Sequence, residues 1–158
     1  MTVPNIVPVN NYSGNGSTTT FDFDFLIEKS SELVVKKTNS SGVQTTLTLD
    51  TDYTINEVGN TNGSYITFPK TGSTHSVLAS NEKISLALAL DIKQDKEYAN
   101  SSKLNFSTLE GSFDYLTRIA QTQSREISRA VKVQEGSDIS TDTLAFNLNK
   151  VADISTDV

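Results

Sequence analysis

Eight residues in the second half of the chain, Leu109, Phe113, Leu116, Ala120, Gln123, Ile127, Ala130 and Gln134, are separated by alternating steps of four and three. This spacing predicts a helix in heptad register, with Phe113, Ala120, Ile127 and Gln134 at position a and Leu109, Leu116, Gln123 and Ala130 at position d. Such a stripe must be covered, and the chain holds no second helical pattern to cover it. Two partners remain, the chain's own sheet or further copies of the same helix. The register runs for nearly four heptads, Ile119 and Val131 at g and e widen the stripe beyond a dimer seam, and Gln123 and Gln134 suit polar layers facing one another around an axis. We therefore expect an intermolecular helical bundle whose interface comprises Leu109, Phe113, Leu116, Ala120, Gln123, Ile127 and Ala130. Ser107-Thr108-Leu109-Glu110 has capping-box spacing and marks the start, and Gly136 after Lys132 marks the end.

Upstream the periodicity changes from helical to alternating. In TTFDFDFLI, Phe21, Phe23 and Phe25 alternate with Asp22 and Asp24, the pattern of a half-buried strand with its aromatic residues inward. ELVVKK (32–37), the turn NSSG (39–42) and VQTTLTLD, with Val43, Thr45, Leu47 and Leu49 alternating, predict a hairpin. DYTINEVG (52–59) and SYITF (64–68) flank the turn pair Asn62-Gly63, and KISLALALDI (83–92) closes the series. About six short strands joined as a β-meander are expected. The fold class is mainly β with one long helix: a small antiparallel sandwich or barrel-like domain followed by a coiled-coil helix. The division is an N-terminal arm at 1–16, rich in Pro and Gly and ordered by contact with something else; a β domain at 17–105; the helix at 106–136; and an extended segment at 137–158, where DISTD occurs twice, at 138–142 and 153–157.

Composition excludes several functions. The 158 residues include no cysteine, which removes disulfide frameworks, thiolate nucleophiles and cysteine metal sites. A net charge of −6 disfavours a phosphate backbone as ligand, so no nucleic acid partner is expected. MTVPNIVPVNN lacks an export-signal pattern and no apolar run is long enough for a membrane span, so a soluble protein is expected. Asn15-Gly16-Ser17 and Asn39-Ser40-Ser41 match the glycosylation sequon, as a chain this rich in Asn and Ser does by chance. Asp22 and Asp24 share one strand face and form a carboxylate pair on paper, but a solvated face opposite three phenylalanines explains them better, since nothing nearby in sequence suggests a third catalytic group. Asp50, Asp52 and Asp91 lack the loop pattern of a cation site, and His75, the sole histidine, stands in a polar loop without nucleophile context. No enzyme activity, metal or cofactor is expected.

GNGSTTTFDFDFLIEKSSELVVKK, TLTLDTDYTI and IKQDKEYANSSKLNFSTLEGSFDYLTRIAQTQSREISRAVKVQEGSD, in that order, resemble the N-terminal virion-attachment domain of tail fibre and tailspike proteins from short-tailed bacteriophages. The resemblance spans about residues 12–138. Its most specific parts are the G-S-x-x-x-F-x-F-x-F strand from Gly16 to Phe25, the L-x-x-D-x-D-Y-x-I segment from Leu47 to Ile55, and a final block in which Gln94-Asp95, Leu109-Glu110, F-D-Y-L and R-A-V-K follow in order. It implies a structural, homotrimeric fibre adaptor with a trimeric coiled-coil helix, bound to the tail or portal machinery, made in the host bacterial cytoplasm and located in the virion tail. In that family a long C-terminal shaft and tip recognise the host; here the sequence ends at Val158 without room for such a tip, so host recognition and depolymerase activity are not expected of this chain, and further fibre subunits at the C-terminus are a candidate partner. The alternative reading is a host-surface module that binds glycans through its Asn- and Thr-rich loops. If the helix face is committed to the trimer, attachment falls to the β domain's edges and to the loops at 39–42 and 60–64, leaving Thr117, Arg118, Gln121, Ser128 and Arg129 outward.

Overall fold

The structure, a computed structural model, describes residues 3–93 and 106–130. Among these, seven strands and one long helix form: β1 (Val9–Ser13), β2 (Thr20–Phe23), β3 (Leu33–Thr38), β4 (Gln44–Thr46), β5 (Thr54–Ile55), β6 (Ser64–Thr67), β7 (Lys83–Leu88) and α1 (Phe106–Arg129). Gln94-Asp95, Val131, Gln134, Gly136, the end of the expected helix and both DISTD copies lie outside the described residues. The chain divides into two compact units, one up to Arg125 and one from Glu126 onward. The first holds both sheets and most of α1, and the second holds the helix's last turn.

The strands form two antiparallel sheets, one ordered β1-β7-β3-β4 and the other β2-β6-β5. Sequential pairing holds for the β3–β4 and β5–β6 hairpins alone, so the expected meander is corrected. β7 instead returns between β1 and β3. Alternation buries Ile84, Leu86 and Leu88 fully on one face but does not select lateral partners, which is why local spacing misses this pairing. One hydrophobic cluster draws on both sheets, combining Phe21, Phe23, Phe25, Ile27 and Ile66 with Leu33, Val35, Ile84, Leu86 and Leu88. The Phe23 and Phe25 ring centroids stand 5.3 Å apart, and Phe21 meets Tyr12 at 5.5 Å, so the aromatic alternation does supply core.

The expectation of an arm at 1–16 also needs correction. Val9–Ser13 pairs along its whole length with Ala87–Lys83, Pro8 is fully buried and Ile6 packs against the core. The segment was hard to read as structured because β1 is stabilised by backbone pairing and one inward tyrosine rather than by an apolar face. The helix begins at Phe106, so Ser107 lies within its first turn rather than at the cap. The turn at Asn39–Gly42 is as the sequence suggested: Asn39 Oδ1 accepts the N–H groups of Ser41 (3.0 Å) and Val43 (2.9 Å), and Gly42 takes a φ of 82°.

Candidate functional site

The helix α1 presents two unlike faces. One is docked on the β domain. Arg118, Ile119 and Arg125 are buried there, with Tyr115, Gln121 and Thr122 half-buried beside them. The other carries the heptad positions, which lie roughly half a turn around the helix at about 100° per residue. The docked face holds mainly through hydrogen bonds. Arg118 Nη2 donates to the Leu26 carbonyl and to Glu32 Oε2, each at 2.9 Å, and its Nη1 stands 3.2 Å from Glu28 Oε1. The Nη1 contact has ion-pair distance without hydrogen-bond geometry.

Glu32 reaches Arg118 from a short 3-10 turn, Ser30–Glu32, and the same carboxylate oxygen accepts the Glu28 N–H at 2.9 Å. Charge-assisted bonds of this kind are what make burial of a guanidinium tolerable. One helical face further along, Arg125 Nη1 donates to the carbonyls of Pro8 (3.1 Å) and Leu88 (2.9 Å). Gln121 Nε2 donates to the Pro4 carbonyl at 2.7 Å, and the Tyr115 hydroxyl to that of Asp91 at 2.7 Å. A cavity of about 280 Å³ lies beside these contacts, lined among others by Ile6, Pro8, Phe25, Leu88, Arg118 and Gln121.

The opposite face is open. Phe113 and Leu116 are each 58% exposed, Leu109 is half-buried, and Ala120 and Gln123 are exposed. In the second unit, Ile127 is 55% exposed and Ala130 is exposed. The five expected interface residues of the first unit thus stand on one helix face, while Ile127 lies in the helix's last turn and Ala130 just beyond its end. Phe106, 75% exposed, extends that face; its place seven residues before Phe113 was the signal that sequence reasoning overlooked. Three expectations change. Ile119 is buried on the docked side and does not widen the stripe, and Arg118 and Gln121 point inward onto the β domain. Thr117, Ser128 and Arg129 are exposed as expected.

The remaining candidates are dispersed. Asp22 and Asp24 are exposed; the Tyr12 hydroxyl donates to the Asp22 carbonyl at 2.7 Å, and the Asp24 N–H donates to Asn10 Oδ1 at 3.3 Å. Burial and the charges of Asp22 and Asp24 raise the Tyr12 pKa above its ordinary value. His75 is partly buried rather than free on the surface: its Nε2 stands 3.4 Å from Asp52 Oδ1 and its ring 5.6 Å from Phe68. Asp52 in turn accepts the Thr48 N–H at 2.7 Å, a turn-closing role. Burial, then Asp50 and Asp52, raise the pKa of the neighbouring Tyr53. No group of three or more His, Cys, Asp or Glu residues that could hold a metal ion occurs among the described residues, and none of their helices is long and apolar enough to cross a membrane.

Compared with known proteins, the chain is similar to a tail protein of a bacteriophage. The relative is the tail spike protein of Salmonella phage epsilon15, 35% identical over 133 residues, which is 84% of this chain and 12% of that protein. The tail-fibre and tailspike resemblance of the sequence is thus matched by a curated tail spike protein, and it supports a phage tail structural protein. No family model matches the chain.

Proposed function

We propose that the chain is the attachment module of a phage tail fibre or tailspike, a non-enzymatic structural part that trimerises through α1 and joins the virion tail through its β domain. The observation that carries this is the open heptad face of a helix already docked by its other side. Burying Phe113, Leu116 and Ile127 would contribute about 1.5–3 kcal/mol per side chain, and a second and third copy of the helix supply a matching surface. The similarity to a tail spike protein supports the location. For docking, β4 offers an edge: Gln44–Thr46 is exposed at every residue, uncharged and paired on one side with β3, as strand addition by a neighbouring protein requires.

Sedimentation equilibrium tests the assembly. The mass should be that of three chains at micromolar concentration, and Ile127→Asp should shift it toward one chain by bringing three carboxylates together near an axis. A parent protein that stays monomeric would overturn the trimer. Two chimaeras test the docking surface, one keeping residues 1–105 with an unrelated trimeric coiled coil, the other keeping the helix with a foreign β domain. The first should join particles and the second should not. A turnover assay on cell-wall polysaccharide should show no product, and hydrolysis there would sink the non-enzymatic reading.

A further inference from the structure

A helix that lies on its own domain ordinarily does so by an apolar stripe. α1 does not. Its docked face is Tyr115, Arg118, Gln121, Thr122 and Arg125, and Ile119 is its one buried hydrophobic residue. The acceptors come from three places far apart in sequence: Pro4 and Pro8 in the N-terminal segment, Leu26 and Glu32 around the 3-10 turn, and Leu88 and Asp91 at the end of β7. Arg125 sits at a junction among them. The Pro8 carbonyl already accepts the Leu88 N–H at 3.1 Å, and Arg125 Nη1 binds both the Pro8 and Leu88 carbonyls, so one guanidinium nitrogen spans the seam between the N-terminal segment and β7.

We propose that Arg118 and Arg125 form a clamp through which α1 holds residues 3–8 and the β sheets in one fixed orientation, so that the helix carries the β domain rigidly rather than on a flexible tether. The physical argument is that a planar, permanently charged fork satisfies several carbonyls in one geometry only. A small rotation of α1 would strip partners from two buried guanidinium groups at once, a penalty that apolar packing, being non-directional, does not impose. The inference deepens the trimer reading by specifying how the β domains are borne, yet the clamp lies within one chain and is tested separately from assembly.

The absence of cysteine makes the test direct. Thr45→Cys on β4 and Ser124→Cys on α1, both exposed positions, receive nitroxide labels, and labelled chains are diluted into unlabelled ones so that distances within one chain are read. The expected result is one narrow distance distribution that broadens when Arg118→Met and Arg125→Met are combined, while the sedimentation mass stays that of the parent. A broad distribution in the parent, or an equally narrow one in the double variant, overturns the clamp. A narrow distribution in a monomeric parent supports the clamp and removes the trimer. Should the double variant fail to fold, Arg125→Met alone removes the clamp's donor to the Pro8 and Leu88 carbonyls without leaving a buried carboxylate unpaired. Amide exchange at Ile6 and Val9 should then quicken by about tenfold or more, and unchanged exchange there overturns the clamp.

Discussion

Gly63 shows how a single position can be dictated by backbone proximity. Its φ is +82°, and a Cβ placed there would stand 1.8 Å from the Phe23 carbonyl oxygen, so Gly63→Ala combines a left-handed conformation with a clash against backbone. Gly42 shares the same φ but has open space around it. Urea unfolding should therefore separate the two: about 3 kcal/mol or more lost for Gly63→Ala, and about 1–2 kcal/mol for Gly42→Ala. Glu82 illustrates charge. Its carboxylate takes a hydrogen bond from Lys37 Nζ at 2.8 Å and accepts the Ala79 N–H at 3.1 Å, and these hold its pKa below the ordinary carboxylate value, the Lys37 bond foremost. A depressed folded-state pKa contributes stability that is present above the unfolded value and is lost as pH falls through the folded one. Glu82→Gln should thus cost at most about 1 kcal/mol at neutral pH, the scale of a surface pair, and the difference from the parent should vanish in acid below the usual carboxylate range.

Strands with a clean alternation were legible, and elements held by backbone or by charge were not. Phe21, Phe23 and Phe25 announced β2 because acidic residues separate them, and Ile84, Leu86 and Leu88 announced β7. Which strands pair was another matter, since β7 lies between β1 and β3 through contacts that no local pattern encodes. From that central place follows an expectation: Leu86→Ala should cost about 2–5 kcal/mol in chemical unfolding, because the cavity is walled by neighbours on both sides and cannot collapse. The helix was half legible. Its heptad face could be read from apolar spacing, whereas Arg118 and Arg125, seven apart on the other side, look in sequence like an ordinary solvated face. A charged side chain aimed at a carbonyl leaves no hydrophobic signature. Phe113→Asp should lower the assembled fraction in sedimentation equilibrium without lowering the β content seen by circular dichroism, because that residue touches solvent rather than core in the single chain.

At the level of the chain, the N-terminal residues turn from an expected appendage into part of the frame. Removing residues 1–8 deletes buried Pro8, the core contact of Ile6 and the carbonyls that Gln121 and Arg125 grip. The truncated chain should melt at least about 5 °C below the parent by calorimetry, and an unchanged midpoint would restore the arm reading for that stretch. The hydrogen bonds that fasten the helix have one more implication. Five of their acceptors, at Pro4, Pro8, Leu26, Leu88 and Asp91, are main-chain oxygens, which every amino acid supplies alike. The grip therefore reads the route of the polypeptide and is blind to the side chains along it. Descendants of this sequence could change the letters at those five positions, within the limits of packing, and keep the same handle, so long as Tyr115, Gln121, the two arginines and the path they recognise are inherited together.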